Sequence, residues 1–157
     1  MTNVTINQEV RLSEHFKLAE LCKTSVATVD RNIPSHAAIE NLKRLSGWLE
    51  MLRSEWNTRY GDGDDPIIIN SGYRSAQVNK AVGGVATSNH LTGCAVDIRV
   101  LGMEQLLRYA VILLDICDES QEDLDELLTE RNAKGTYWLH FAVRPEGNRR
   151  KIRLIAC

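Results

Sequence analysis

The chain has 157 residues, enough for one domain with its own core, and its make-up, 43% hydrophobic and 25% charged, is that of a globular protein that needs no disulfide staples. A formal net charge of -2 gives no electrostatic ground for a nucleic-acid partner or an anionic membrane surface. No stretch approaches the roughly 20 consecutive apolar residues of a bilayer span, so membrane insertion is not expected. The opening segment, MTNVTINQEVRLSEHF, has neither a basic leader nor an apolar run. The chain therefore reads as made in the cytoplasm without a secretory signal, and any target outside requires release or export. Residues 1–157 read as a single domain and a monomer.

Residues 13–23 (SEHFKLAELCK) predict a short helix capped by Ser13. Residues 35–57 predict a longer one. Ser35 caps it, and Ile39, Leu42, Leu45, Leu49, Leu52 and Trp56 form a stripe at helical spacing, widened by Trp48. GDGDD at 61–65 is a loop; the carboxylate that a calcium loop needs at its last position is missing, so calcium is not expected. Pro66 leads into Ile67, Ile68 and Ile69, a short buried strand. A loop-rich stretch follows, with a short helix from Ser75 to Ala81 broken at Gly83-Gly84.

Residues 94–100 (CAVDIRV) alternate, so Val96, Ile98 and Val100 face one way and Ala95, Asp97 and Arg99 the other. Leu106, Leu107, Ala110, Val111 and Leu114 predict an amphipathic helix over 103–117. Strands near 124–130 and 136–143 flank a turn containing Asn132 and Gly135, and a last strand covers 151–156. The pattern is α+β: a small, mostly antiparallel sheet with helices packed on it. Arg149, Arg150, Lys151 and Arg153 read as a solvated strand face rather than a phosphate patch. The cysteines form no CxxC pair; Cys94 and Cys117 read as small core residues and Cys157 as a free thiol.

His90 stands in a polar loop just before the strand that carries Asp97 (HLTGCAVD), and His140 lies in TYWLHFAV. Two imidazoles and one carboxylate, with an open fourth position, make the ligand count of a catalytic zinc site. Gly93 lets the loop turn back so that His90 and Asp97 can converge. Residue type alone leaves the opposite reading open, since histidines in strands are commonly structural. His15 and His36 of this same chain are given no role.

SGYRS at 71–75, VNKAVGG at 78–84, SNHLTGCAVDI at 88–98 and WLHF at 138–141 resemble, in order, the successive motifs of the M15 peptidases. These are zinc D-alanyl-D-alanine carboxypeptidases and related phage endolysins that share the hedgehog-like zinc fold. The resemblance begins near EHFKLAEL and runs almost to the C-terminus. It implies zinc bound by His90, Asp97 and His140, and hydrolysis of peptidoglycan stem peptides in the cell wall, as a carboxypeptidase or an endopeptidase. It also implies that Arg74 reaches into the cleft, to polarise the scissile carbonyl or hold a substrate carboxylate. A purely structural Arg74, fixing its loop, is the other reading. Ser88 and Tyr73 are implied as substrate-binding residues, with Asn79 a further candidate.

Carboxypeptidases of the group often carry an acidic residue three positions before the last histidine, where this chain has Tyr137. A related branch places a glutamate on the preceding strand, and DELLTE nominates Glu130 as general base with Glu126 in reserve. Either shares a face with His140 only if an odd number of residues closes the hairpin. The alternative is a catalytically inactive zinc-containing binding module of the same fold.

Overall fold

A computed structural model describes residue 7 and residues 9–156. The reading of the leader therefore falls largely, and that of Cys157 wholly, outside the described residues.

The long helix α2 (His36–Arg59) starts where its sequence asks it to, with the Ser35 hydroxyl accepting the Ala38 N–H at 3.1 Å. Leu42, Leu45, Leu49, Leu52 and Trp56 are buried along one face, with Trp48 beside them. The helix α4 (Met103–Ser120) packs against α2, with the rings of Tyr109 and Trp56 nearly perpendicular at 4.9 Å between centroids. That contact decides which face of α4 is inside. Leu106, Tyr109, Ile112, Leu113, Ile116 and Cys117 are buried, whereas Leu107 and Val111 are about half exposed. The core face is thus rotated one residue from the stripe expected, because the aromatic Tyr109 and the thiol of Cys117 are apolar enough to lie inside.

Helix α1 is only Leu18–Leu21. Ser13 does not cap it, because Glu50 of α2 takes the Ser13 hydroxyl at 2.8 Å and the His15 backbone N–H at 2.7 Å. The chain before α1 instead folds back in an isolated bridge, Arg11 to Lys17. The short α3 (Ala76–Ala81) has Ser75 as N-cap.

The sheet comprises β1 (Ile69–Ser71), β2 (Ala95–Arg99), β3 (Glu126–Arg131), β4 (Tyr137–Ala142) and β5 (Lys151–Ala156), in the order β1-β2-β4-β3-β5. β1/β2, β2/β4 and β4/β3 are antiparallel, but β5 lies parallel to β3. The sheet is therefore mixed rather than mostly antiparallel. The cause is local: after β4 the chain passes the start of β3, where Arg149 fastens to Asp125 through its backbone N–H and guanidinium, so β5 leaves from the same end as β3. The triple isoleucine is not buried throughout, since Ile67 and Ile69 point inward and Ile68 outward.

Strand alternation divides the sheet into two faces. Val96, Ile98, Leu127, Leu139 and Phe141 join α2 and α4 in one core, with Trp48 on Phe141 at 5.6 Å. A buried side chain of this kind contributes roughly 1.5–3 kcal/mol. The other face carries Asp97, His140, Glu126, Leu128 and Glu130. Among the described residues, no helix is long and apolar enough to cross a membrane.

Candidate metal centre

Asp97 on β2 and His140 on β4 are directly opposed in register, so their side chains share the outer face. His90 reaches them from a single 3-10 turn, Asn89–Thr92. Ser88 caps that turn, its hydroxyl accepting the His90 N–H at 3.2 Å. Gly93 ends it at φ 75°, packed so closely that a Cβ there would lie 2.6 Å from the Ala38 carbonyl oxygen. The turn is also tied to the SGYR segment, by Arg74 N–H to His90 O at 3.0 Å and by His90 Nδ1 to Gly72 O at 2.7 Å.

One ligand atom from each of His90, Asp97 and His140 lies within 4.8 Å of the others, and all three residues are buried. Asp97 Oδ1 is 3.4 Å from His90 Nε2 and 3.1 Å from His140 Nδ1. A carbonyl only accepts, so Nδ1 of His90 carries a proton and Nε2 is the nitrogen that faces the cluster, the one whose lone pair a metal would take. The donor set and its convergence suit zinc, which takes two imidazoles and a carboxylate and leaves a fourth position to solvent or substrate.

Without a metal, the cluster is a set of coupled charges. Burial by itself would raise Asp97, but charge on His90 and hydrogen bonds from His140 and His90 hold it well below the usual carboxylate range. Burial opposes charge on His140 too, yet its bonds to Asp97 and Glu126 push it up to about 9. Glu126 is lowered to about 2, first by the hydrogen bond from His140. Glu130 moves the other way, raised by burial and then by the charge of Asp97.

A cleft of about 420 Å³ opens over the cluster, lined in part by Arg74, Ser88, Glu130 and Arg144. A wider depression beside His15, Glu50 and Arg53 contains none of the cluster. Arg74 spreads its guanidinium over three partners: Asp97 Oδ2 at 3.2 Å, Ser71 Oγ at 3.3 Å and Asn79 Oδ1 at 3.4 Å. It therefore reaches the cleft and braces a member of the cluster at once. Asn79 is buried behind it. Tyr73 does not line the cleft: it is packed into the core, with its backbone N–H on Leu21 O at 2.7 Å.

Arg131 pairs with Tyr137, so residues 132–136 close the hairpin, an odd number. Glu126 and Glu130 accordingly share the face of His140. They sit differently upon it. Both border the cleft, but Glu130 accepts a hydrogen bond from Trp138 Nε1, while Glu126 Oε1 lies 3.2 Å from Nε2 of His140.

Several groups around the centre escaped the sequence. Asp125 has no exposed side-chain surface and binds Arg149 bidentately, Asn89 at 2.8 Å and Arg144 at 3.2 Å. Arg149 and Lys151 are thus cleft residues rather than parts of a freely solvated face, and Arg150 pairs with Asp118 and Asp123. The signal that could have found them is an aspartate just before one strand and a basic run just before another; only the parallel pairing of β3 and β5 brings these together.

A family profile described as Peptidase M15 matches residues 14–113. That stretch holds Arg74, His90 and Asp97, while β3 and β4, with Glu126, Glu130 and His140, lie beyond it. A zinc D-Ala-D-Ala carboxypeptidase of Streptomyces albus G is similar at 45% identity over 40 residues, 26% of this chain and 16% of that protein. The similarity thus spans far less than two thirds of the relative's length.

Proposed function

The chain belongs to the peptidase M15 family, and from that premise we propose that it is a zinc-dependent peptidase hydrolysing peptide bonds in peptidoglycan stem peptides. The observation that carries this reading is the convergence of His90 Nε2, Asp97 Oδ1 and His140 Nδ1 at the floor of an open cleft. Bound by these three, zinc supplies Lewis acidity, which polarises a peptide carbonyl and eases the ionisation of water near neutral pH.

The chain's own groups do the rest. Glu130 is the proposed general base. One of its oxygens accepts from Trp138, which leaves the other free to take a proton from attacking water and pass it to the leaving amine. Arg74, already oriented by Asp97 and Asn79, keeps a cation in the cleft where a carbonyl oxygen or substrate carboxylate would lie. Ser88 fixes the turn that presents His90. Arg74, Arg144, Arg149 and Lys151 are balanced around the cleft by Asp97, Asp125, Glu126 and Glu130. A divalent cation therefore leaves a net positive charge, the sign that draws the carboxylates of a stem peptide. The name of the Streptomyces relative supports the same substrate class. Action on the cell wall follows if the protein is released or exported.

The test is mass spectrometry of purified muropeptides after digestion by the zinc-loaded protein. Cleavage is expected, and the product masses identify the bond and separate carboxypeptidase from endopeptidase action. Glu130→Gln should keep its zinc and lose roughly a hundred-fold to ten-thousand-fold in rate. Intact muropeptides after digestion by a fully zinc-loaded wild type would sink the enzymatic reading. A second reading has one observation in its favour: Tyr137 stands where an acidic residue is common in the family and packs against the core. On that reading the protein is a zinc-containing binding module, which would retain muropeptides without cutting them.

A further inference from the structure

We propose that Glu126 is a positioning residue for the metal centre: it holds the Nε2–H of His140, so that Nδ1 of the same ring faces the metal, and Asn89 locks it in that place. This rests on the reading of His90, Asp97 and His140 as ligands of zinc.

The His140 ring is buried between two carboxylates, with Nδ1 3.1 Å from Asp97 Oδ1 and Nε2 3.2 Å from Glu126 Oε1. Nδ1 faces Asp97 Oδ1, which itself lies 3.4 Å from His90 Nε2, whereas Nε2 faces Glu126. With that nitrogen committed to a metal, the proton resides on Nε2, and an ionised carboxylate, which only accepts, is the partner that keeps it there. Such a carboxylate behind a ligating imidazole fixes its tautomer and ring plane and strengthens it as a donor. Every member of the cluster then has a backing group: the Gly72 carbonyl for His90, Arg74 for Asp97, and Glu126 for His140. The two histidines are held in opposite tautomers.

Glu126 is itself held. The side-chain amide of Asn89 donates to Glu126 Oε1 at 2.6 Å and to Asp125 Oδ2 at 2.8 Å. Arg149 and Lys151 flank its other oxygen at 3.7 and 3.8 Å and offset its charge. Asn89 directly precedes His90, so one amide joins the turn that carries one ligand to the strand whose glutamate orients another. The same geometry removes Glu126 from the role of general base. Both glutamates line the cleft, but the near oxygen of Glu126 is taken by Nε2 of His140 and by the Asn89 amide, whereas Glu130 is held by Trp138 through one oxygen alone.

The experiment combines imidazole 1H–15N correlation spectra of the zinc-loaded protein with zinc affinities from chelator competition. In the wild type, His140 should appear protonated at Nε2 and His90 at Nδ1. Glu126→Ala should bind zinc about 10- to 100-fold more weakly and lose the slowly exchanging His140 ring proton. Glu126→Gln, which keeps an acceptor oxygen, should restore that proton and recover part of the affinity. Should the alanine variant not fold, the glutamine variant and the wild-type tautomers still decide the question. Wild-type His140 protonated at Nδ1, or an alanine variant with unchanged affinity and an unchanged ring proton, overturns the proposal while leaving the zinc reading intact. A wild type that binds no zinc overturns both.

Discussion

The His140 imidazole stores a proton that a metal must displace. Its value of about 9 in the metal-free protein, against 6.5 ordinarily, arises despite burial from its bonds to Asp97 and Glu126. A raised histidine contributes stability that is complete below its unfolded value and fades as pH climbs through the folded one. Asp97 and Glu126 are lowered, so their contribution is complete above the ordinary carboxylate range and fades in acid. The metal-free protein is therefore expected to be most stable between about pH 4.5 and 6.5 and to weaken from there toward pH 9. Thermal midpoints measured across that range check the direction; a midpoint that rises from pH 6.5 to 9 would contradict it. At pH 7, zinc uptake should expel about one proton per ion. Calorimetry in two buffers of different ionisation enthalpy reads that number, and identical heats in both would refute it.

At the scale of elements, the turn from Asn89 to Gly93 is the most exacting segment of the site. Gly93→Ala forces a side chain into a left-handed conformation, at a cost of about 1–2 kcal/mol, and drives its Cβ against the Ala38 carbonyl. The variant should melt earlier and bind zinc more weakly, because His90 is displaced with the turn; wild-type zinc affinity in the variant would show that the turn is more tolerant than its packing. This element was legible in the sequence, since a glycine between a polar histidine loop and an alternating strand has few other uses. Helix α2 was legible for a similar reason: its cap and its apolar stripe agree. Helix α4 was legible in extent but not in rotation, because Leu107 and Val111 are as apolar as the residues that are buried, and only the partner helix chooses between them. Helix α1 is shorter than its sequence suggests and lacks Ser13 as a cap, because Glu50, distant in sequence, takes the Ser13 hydroxyl and the His15 N–H. The cluster of His90, Asp97 and His140 could be named from the sequence because each residue stands in a distinctive local motif. The groups that back and flank it could not, because Asp125, Arg144 and Arg149 meet only through strand order.

The molecule as a whole is one sheet with a hydrocarbon side and a chemical side, and Asp125 is where its last strand is fastened to the rest. That carboxylate is fully enclosed, while Arg149 and Arg144 remain partly exposed. Asp125→Ala leaves Asn89 short of an acceptor and two guanidiniums without their shared anion. The guanidiniums can turn toward water, so the loss should lie near the lower end for a broken buried pair, about 3 kcal/mol. Urea denaturation measures it, and a loss below about 1 kcal/mol would place the network among ordinary surface ion pairs.

The strand order also sets a timetable. β4 occupies the middle of the sheet although, among the described residues, it is the fourth strand in chain order. It can meet β3 across a short hairpin, but its other edge must find β2, with 43 residues separating Asp97 from His140. Contacts that far apart along a chain are slow to form, since the intervening loop must be closed before they can stabilise anything. While a ribosome is still extending the chain, β1 with β2 and the later strands are two unjoined halves. The pocket for the ion comes into being in the step that zips them together, so a nascent chain without β4 has nowhere to load it.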